Sequence, residues 1–331
     1  TRMDEYRRLL TAGKYFGIEA QELSPRETKE LFPLLDEKAF VGSIFSPQDG
    51  SMDPTMMVNA LVKGAKNHGA KVIEECPVTR IITEEREYGD RKVTGVETPH
   101  GVIQTNCILN AAGVWSKDIA KMAGVDIPLV PMKHAFIVTE PMAGVQGLPN
   151  IRDHDASIVI KIQGSSMAIG GYEPNPIILK SLDKNFAFSL YELDWSVFNV
   201  HVERMVELVP KLGNTGIQST VCGPEAFTPD HRPIMGEDPK CAGLFHSCGY
   251  NSAGMMYAGG CGEQIASWII DGRPEKHMYS YDIRRFTPSQ RKDPIWANER
   301  SHEAYATNYG IVFPNSAPLS GRNFKKSRFH E

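Results

Sequence analysis

The stretch that most constrains the fold is Gly249-Tyr250-Asn251-Ser252-Ala253-Gly254-Met255-Met256-Tyr257-Ala258-Gly259-Gly260-Cys261-Gly262, which holds five glycines and runs into the apolar segment 263–270 before Asp271-Gly272. Glycines at this density leave backbone bare along one side, so a flat, wide ligand can approach it closely. Ile265, Ala266, Trp268, Ile269 and Ile270 read as a buried helix after Gly262, capped at Gly272, whose positive end points back at the glycines. A group that becomes anionic is stabilised there. The same residues equally suit a glycine-rich helix packed on a sheet, and alone they do not choose between the two.

With 331 residues, 41% of them hydrophobic, the chain can bury a large core and is long enough for two domains. A net charge of -4 gives no basic footprint for nucleic acid. No apolar run reaches the roughly 20 residues of a bilayer span, so no membrane insertion is expected. Cys76, Cys107, Cys222, Cys241, Cys248 and Cys261 form no CxxC pair and have no histidine at ligand spacing, which predicts free thiols and no metal site.

In chain order, Met3, Tyr6, Leu9 and Leu10 space an amphipathic helix, and Ser24-Pro25-Arg26-Glu27 is a capping box opening a second. Residues 42–45 read as a strand, and Asp53-Pro54 starts a helix that stops at His68-Gly69. Strands follow at 70–74 and 76–82, then a hairpin of 92–98 with 102–105 around Pro99-His100-Gly101. From residue 125 the pattern is antiparallel: a strand over 129–139, a hairpin of 157–163 with 166–172, and a helix over 195–208 ended by Pro210. The fold class is α/β, α+β overall: part of a Rossmann-like domain with an antiparallel sheet inserted. That insertion is where a substrate pocket belongs.

Cys107-Ile108-Leu109-Asn110-Ala111-Ala112-Gly113-Val114-Trp115 is a short buried strand turning through small residues into a helix, which lets backbone approach a phosphate or a flavin edge. Combined with Thr228-Pro229-Asp230-His231-Arg232-Pro233-Ile234-Met235-Gly236 and the glycine stretch, it resembles the D-amino-acid oxidase and sarcosine oxidase superfamily of FAD-dependent amine oxidoreductases. Leu31-Phe32-Pro33-Leu34, Asp49-Gly50-Ser51-Met52-Asp53-Pro54, Gly95-Val96-Glu97-Thr98, Ile151-Arg152-Asp153-His154-Asp155-Ala156-Ser157 and Asp282-Ile283-Arg284-Arg285-Phe286 narrow the likeness to the sarcosine and dimethylglycine dehydrogenase group, over essentially the whole chain.

The resemblance implies oxidative demethylation of a small N-methyl amino acid, with a hydride passing from the N-methyl carbon to flavin N5 and electrons leaving to electron-transferring flavoprotein in the mitochondrial matrix. Sarcosine and dimethylglycine differ by one methyl, worth about 1–3 kcal/mol in an apolar pocket, so the residues alone do not separate them. A non-catalytic relative resembling the pyruvate dehydrogenase phosphatase regulatory subunit is the third alternative. No Gly-x-Gly-x-x-Gly occurs, and the chain opens on Thr1-Arg2-Met3 inside a helix. The dinucleotide motif, the histidine that links covalently to FAD and a C-terminal tetrahydrofolate-binding domain are therefore expected outside it, leaving this piece inactive alone. The expected division is a helical border at 1–45, FAD-binding parts at 46–124 and 220–275, a substrate domain at 125–219 and a linker at 276–331.

Expected cofactor contacts are Val78 by its backbone, Ala111, Ala112, Gly113, Trp115, Gly223, Gly249, Asn251, Ser252, Ala253, Gly254 and Met255. No catalytic acid or base is singled out. For the substrate carboxylate the candidates are His134, Lys161, Tyr172 and Arg232, with Arg152 behind them; each equally suits a core or surface role. Related bacterial oxidases hold the carboxylate with a lysine in the glycine stretch, where this chain has Met256. Cys222 lies near the place where some oxidases attach FAD to cysteine, but its offset differs by one and it reads as a buried thiol.

Overall fold

Helices begin where side chains cap them. In the computed structural model, which describes residues 1–183 and 186–323, Thr1 caps α1 (Arg2–Tyr15) and Ser24 caps α2 (Pro25–Leu31), each through a reciprocal capping box. Strands β1 (Gln21–Leu23) and β2 (Ser43–Phe45) pair across α2, and Asp53 caps α3 (Pro54–Asn67). Strands β3 (Arg80–Glu85), β4 (Arg91–Thr98) and β5 (Gly101–Gln104) follow, then β6 (Ile108–Asn110) and α4 (Ser116–Met122). The inserted region contributes β7 (Val130–Thr139), β8 (Ile151–Asp153), β9 (Ile158–Gln163), β10 (Ser166–Gly171), α5 (Trp195–Phe198) and α6 (Val200–Leu208). The return brings β11 (Ile217–Phe227), β12 (Ile234–Glu237), β13 (Cys241–Ala242), β14 (Leu244–Cys248), α7 (Gly254–Asp271), α8 (Pro288–Lys292) and α9 (Pro294–Ala306).

A five-stranded antiparallel sheet runs β11-β7-β10-β9-β8. A three-stranded sheet runs β12-β14-β6, with β14 and β6 parallel, and a third sheet joins β13, β4 and β3 with β5 beside β4. One core lies among β3, β4, α4, β12, β14 and α9; another lies between the five-stranded sheet and α6, where Phe198, Met205 and Leu208 meet Ile137, Ile158, Ile160, Met167 and Ile169. Phe32 and Leu35 join the second, so the N-terminal segment borders the antiparallel sheet.

Five readings differ from the structure. Residues 70–74 form no strand: no neighbour among the described residues offers them a ladder, and Val72 and Ile73 are exposed. The next strand begins only at Arg80. The helix over 195–208 is interrupted at Asn199, whose carbonyl accepts from Val202 N in a tightened turn. The glycine-rich helix starts at Gly254, so Gly259, Gly260 and Gly262 lie inside it; its stripe Cys261, Gln264, Ile265 and Trp268 is buried, and that burial outweighs a glycine penalty of about 1 kcal/mol each. Its left-handed cap at Gly272 is as expected. Of the linker expected over 276–331, residues 276–323 carry α8 and α9 and bury Ile283, Phe286, Trp296 and Tyr305 in the core, and 324–331 lie outside the described residues. In contrast, α3 buries no residue, and Met56, Val58 and Leu61 are exposed.

Candidate functional site

Strands β6 and β14 run parallel, with Leu244 opposite Ile108 and His246 opposite Asn110, and both leave their carboxyl ends through small residues into a helix. Ligands of parallel sheets bind at that edge. The β6 turn, Ala111-Ala112-Gly113, is braced from within: Asn110 Nδ2 donates to Ser116 O at 2.9 Å and lies 3.4 Å from His246 Nδ1, whose Nε2 is 3.3 Å from Asp238 Oδ2. At the β14 turn Gly249, Asn251 and Ser252 have left-handed φ of 69°, 52° and 69°. Asn251 is 3% exposed, donates Nδ2 to Gly249 O at 2.7 Å and accepts from Thr228 N at 2.9 Å. Its side chain is thus engaged by the turn itself, and its backbone is engaged as well, the N–H donating to Ala226 O at 3.3 Å and the carbonyl accepting from Tyr172 Oη at 3.2 Å, so Asn251 braces the turn.

The edge is open. A Cβ added at Gly113, Gly259, Gly260 or Gly262 would meet nothing within 4 Å, and one at Gly254 only Tyr250 Cβ at 3.9 Å. The N-cap of α7, Ala253, makes no side-chain cap, as at α4 and α6, whereas α1, α2, α3 and α9 have one. Bare backbone beside uncapped N–H groups fits the flat ring of FAD, whose pyrimidine end gains negative charge on reduction. Trp115 and Met255 stand half-exposed at the same edge.

The antiparallel sheet supplies the second wall. Its helix-covered face is apolar and takes Cys222, a thiol that burial pushes up, as a core residue. Side-chain alternation puts His134, Phe136 and Val138 of β7, Gly170 and Tyr172 from β10, Lys161 and Val159 of β9, and Gly223 and Glu225 of β11 on the other face. His134 sits opposite Gly223, and its Nδ1 lies 3.0 Å from Ser252 Oγ and 3.3 Å from Glu225 Oε2. This contact joins the sheet to the glycine turn. Tyr172 donates its hydroxyl to Asn251 O at 3.2 Å, and its ring is 5.0 Å from that of His134.

Burial disfavours protonation of His134, but Glu225, then Glu173 and the Gly171 carbonyl, outweigh it and hold the imidazole above its ordinary value. Burial likewise opposes ionisation of Glu225, while His134 and Ser252 bring it below the usual carboxylate value. Glu225 keeps Oε2 buried against the imidazole although its side chain is 40% exposed. Glu225 presents a carboxylate edge to the open face, a poor receptor for a substrate carboxylate and a good one for an ammonium. His231, turned toward the same aromatic group, is pushed by burial down to about 4.

The remaining candidates lie elsewhere. Lys161 shares the face but pairs with Ala168, two rows from His134, which places it about 13 Å away along the strands; its Nζ reaches Met52 O at 3.4 Å. Arg232 lines a surface pocket with Asp230, Arg285 and Arg300, and Arg152 donates to Tyr309 Oη at 2.9 Å. Gly223 belongs to the sheet face beside His134, and Val78 packs its side chain against the first core. Three neighbours of His134 have no sequence signal of their own, namely Glu225, Glu173 and Tyr305. Glu225 alternates with Gly223 on one strand, but only the β7–β11 register brings it to His134.

Residues 1–268 match the family described as FAD dependent oxidoreductase, and 271–327 its central domain. The chain is 53% identical over 330 residues to the mitochondrial sarcosine dehydrogenase of Homo sapiens, covering 100% of this chain and 36% of that protein. It is 29% identical over 335 residues to the mitochondrial dimethylglycine dehydrogenase of Rattus norvegicus, covering 97% of this chain and 38% of that protein. The chain thus spans little more than a third of the length of these curated relatives. The crystal structure of L-proline dehydrogenase from P. horikoshii superposes with a TM-score of 0.74 at 26% identity, over 86% of this chain and 73% of that one. With its bare glycine edge and one-sided antiparallel sheet, the chain belongs to the FAD-dependent oxidoreductase family.

Proposed function

We propose that this chain carries the substrate-facing part of a sarcosine dehydrogenase, an FAD-dependent enzyme that oxidises the N-methyl group of sarcosine to yield glycine and formaldehyde. The class of chemistry rests on one observation, the 3.0 Å contact of Ser252 with His134, which sets the substrate face directly against the glycine turn. The choice of sarcosine over dimethylglycine rests on 53% against 29% identity to the two relatives.

FAD, when bound, supplies the hydride acceptor. The turn Ala111-Ala112-Gly113 and the start of α7 at Gly254, open at Gly113 and Gly254, would hold it, whereas Gly249 is packed against Thr228 and Leu129; the uncapped N–H groups of α7 would favour its added negative charge. The chain's own residues then act on the amine. Oxidation needs the nitrogen lone pair, so the substrate must lose its ammonium proton. The exposed edge of Glu225 draws the ammonium in, and the neutral imidazole of His134, oriented through Nδ1 by Ser252 and Glu225, takes the proton. Tyr172 anchors the glycine turn under the same ring.

The finer reading places the protein in the mitochondrial matrix, with a histidine outside these residues linking FAD covalently. It passes electrons to electron-transferring flavoprotein, and its formaldehyde is captured on tetrahydrofolate by a further domain. Residues 46–124 and 220–275 form the FAD-binding part, and 125–219 the substrate domain. Support for location comes from relatives whose names say mitochondrial, and no described helix is long and apolar enough to cross a membrane. The test is anaerobic titration of the full-length flavoprotein: sarcosine bleaches the flavin band, whereas bleaching by dimethylglycine alone would transfer the assignment to that substrate.

A further inference from the structure

Behind His134 lies a buried group that the proposed chemistry does not use. Glu173, just past the end of β10, is 4% exposed, and its Oε2 accepts the hydroxyl of Tyr305, a wholly buried residue of α9. Its Oε1 is 3.8 Å from His201 Nε2. Burial pushes His201 down to about 4, and neither of its ring nitrogens has a hydrogen-bond partner among the described residues, so it is a neutral neighbour. Burial pushes Glu173 above its ordinary carboxylate value, while the Tyr305 hydroxyl and the field of His134 draw it back toward the ionised form. The cation within its field is His134, whose ring lies 5.6 Å from that of Tyr305. Tyr305 also packs edge-on to Tyr172 at 5.0 Å and to Phe227 at 4.8 Å. The C-terminal segment thus builds the back wall of the site.

We propose that Glu173 is a positioning residue: through its bond to Tyr305 it fixes the aromatic wall behind His134 and adds a second negative field that sets the pH at which the imidazole releases its proton. This rests on the reading of His134 as the group that takes the amine proton. The groups facing His134 are Glu225 from β11, Ser252 from the glycine turn, Tyr172 and Glu173 from β10 and its end, Tyr305 from α9, His231 from the β11–β12 turn and, beyond Glu173, His201 from α6. Of the two carboxylates, Glu225 touches the ring, whereas Glu173 acts across Tyr305. Replacing Glu173 by glutamine deletes its field. Replacing Tyr305 by phenylalanine removes the hydrogen bond that favours the ionised carboxylate, so it weakens the same field.

Two measurements on the full-length flavoprotein test this. In the first, ¹⁵N-histidine spectra follow the ring titration of His134, assigned by comparison with His134→Gln. Glu173→Gln and Tyr305→Phe are expected to move it to lower pH, the first further than the second. In the second, the acid limb of the anaerobic flavin-reduction rate with sarcosine moves down in step while the rate at high pH changes little. A ring titration that stays in place in both folded variants overturns the proposal, as does a uniform loss of rate with the limb unmoved. If sarcosine fails to reduce the wild type yet the titration moves, the coupling stands and the assigned activity falls.

Discussion

Replacing Asn251 by alanine tests how the glycine turn is held. The substitution deletes the donor to Gly249 O at 2.7 Å and the acceptor for Thr228 N at 2.9 Å, and Thr228 is wholly buried. Each backbone group left unpaired costs about 1–3 kcal/mol. Alanine at a φ of 52° adds roughly 1 kcal/mol, because asparagine tolerates left-handed backbone better. The expected loss is therefore about 3–7 kcal/mol, localised where β14 hands over to α7. Asn251→Gly removes the same bonds without the backbone strain and should lose roughly 1 kcal/mol less. The assay is urea denaturation of the full-length flavoprotein, following flavin fluorescence and far-ultraviolet circular dichroism together. The variant should lose its native flavin environment at lower urea than it loses secondary structure, with the two transitions coincident in the wild type. A flavin transition within about 0.5 kcal/mol of wild type would refute the assignment of Asn251 as the bolt of the turn.

Other perturbations separate the parts of the site. Glu225→Gln removes the main group that raises His134, so burial then dominates; because activity falls as pH drops through the His134 titration, the acid limb of kcat/KM should move to lower pH, which a pH–rate profile reads directly. Lys161→Ala should leave KM for sarcosine within about threefold, since its row lies about 13 Å from His134, and a loss of tenfold or more would return the carboxylate contact to Lys161. Gly236→Ala sets a Cβ 2.5 Å from Trp268 Cη2 at a φ of 95°; a loss of about 3 kcal/mol or more is expected, seen as a lowered urea midpoint or insoluble protein.

Local chemistry is what the sequence displays most openly. The caps at Ser24 and Asp53, the hairpin around Pro99-His100-Gly101 and the left-handed stop at Gly272 depend on a few neighbouring residues, and each stands where those residues place it. The start of α7 does not: glycine propensity puts it after Gly262, whereas burial of Cys261 against the sheet, a tertiary gain, moves it back to Gly254. Residues 70–74 fail for a related reason, since a strand is defined by its partner. His134 and Tyr172 are legible because period-two alternation puts them on one face. Their neighbours are not: Glu225 reaches His134 only through the β7–β11 register, and Tyr305 comes from 132 residues beyond Glu173.

The central claim is that this fold sets an amine-binding sheet against a flavin seat. Anaerobic addition of sarcosine to the full-length protein tests it most directly. Bleaching of the flavin band with stoichiometric release of formaldehyde, both lost or slowed in His134→Gln, is the predicted result. A protein that carries flavin yet shows no bleaching with sarcosine or dimethylglycine would contradict it.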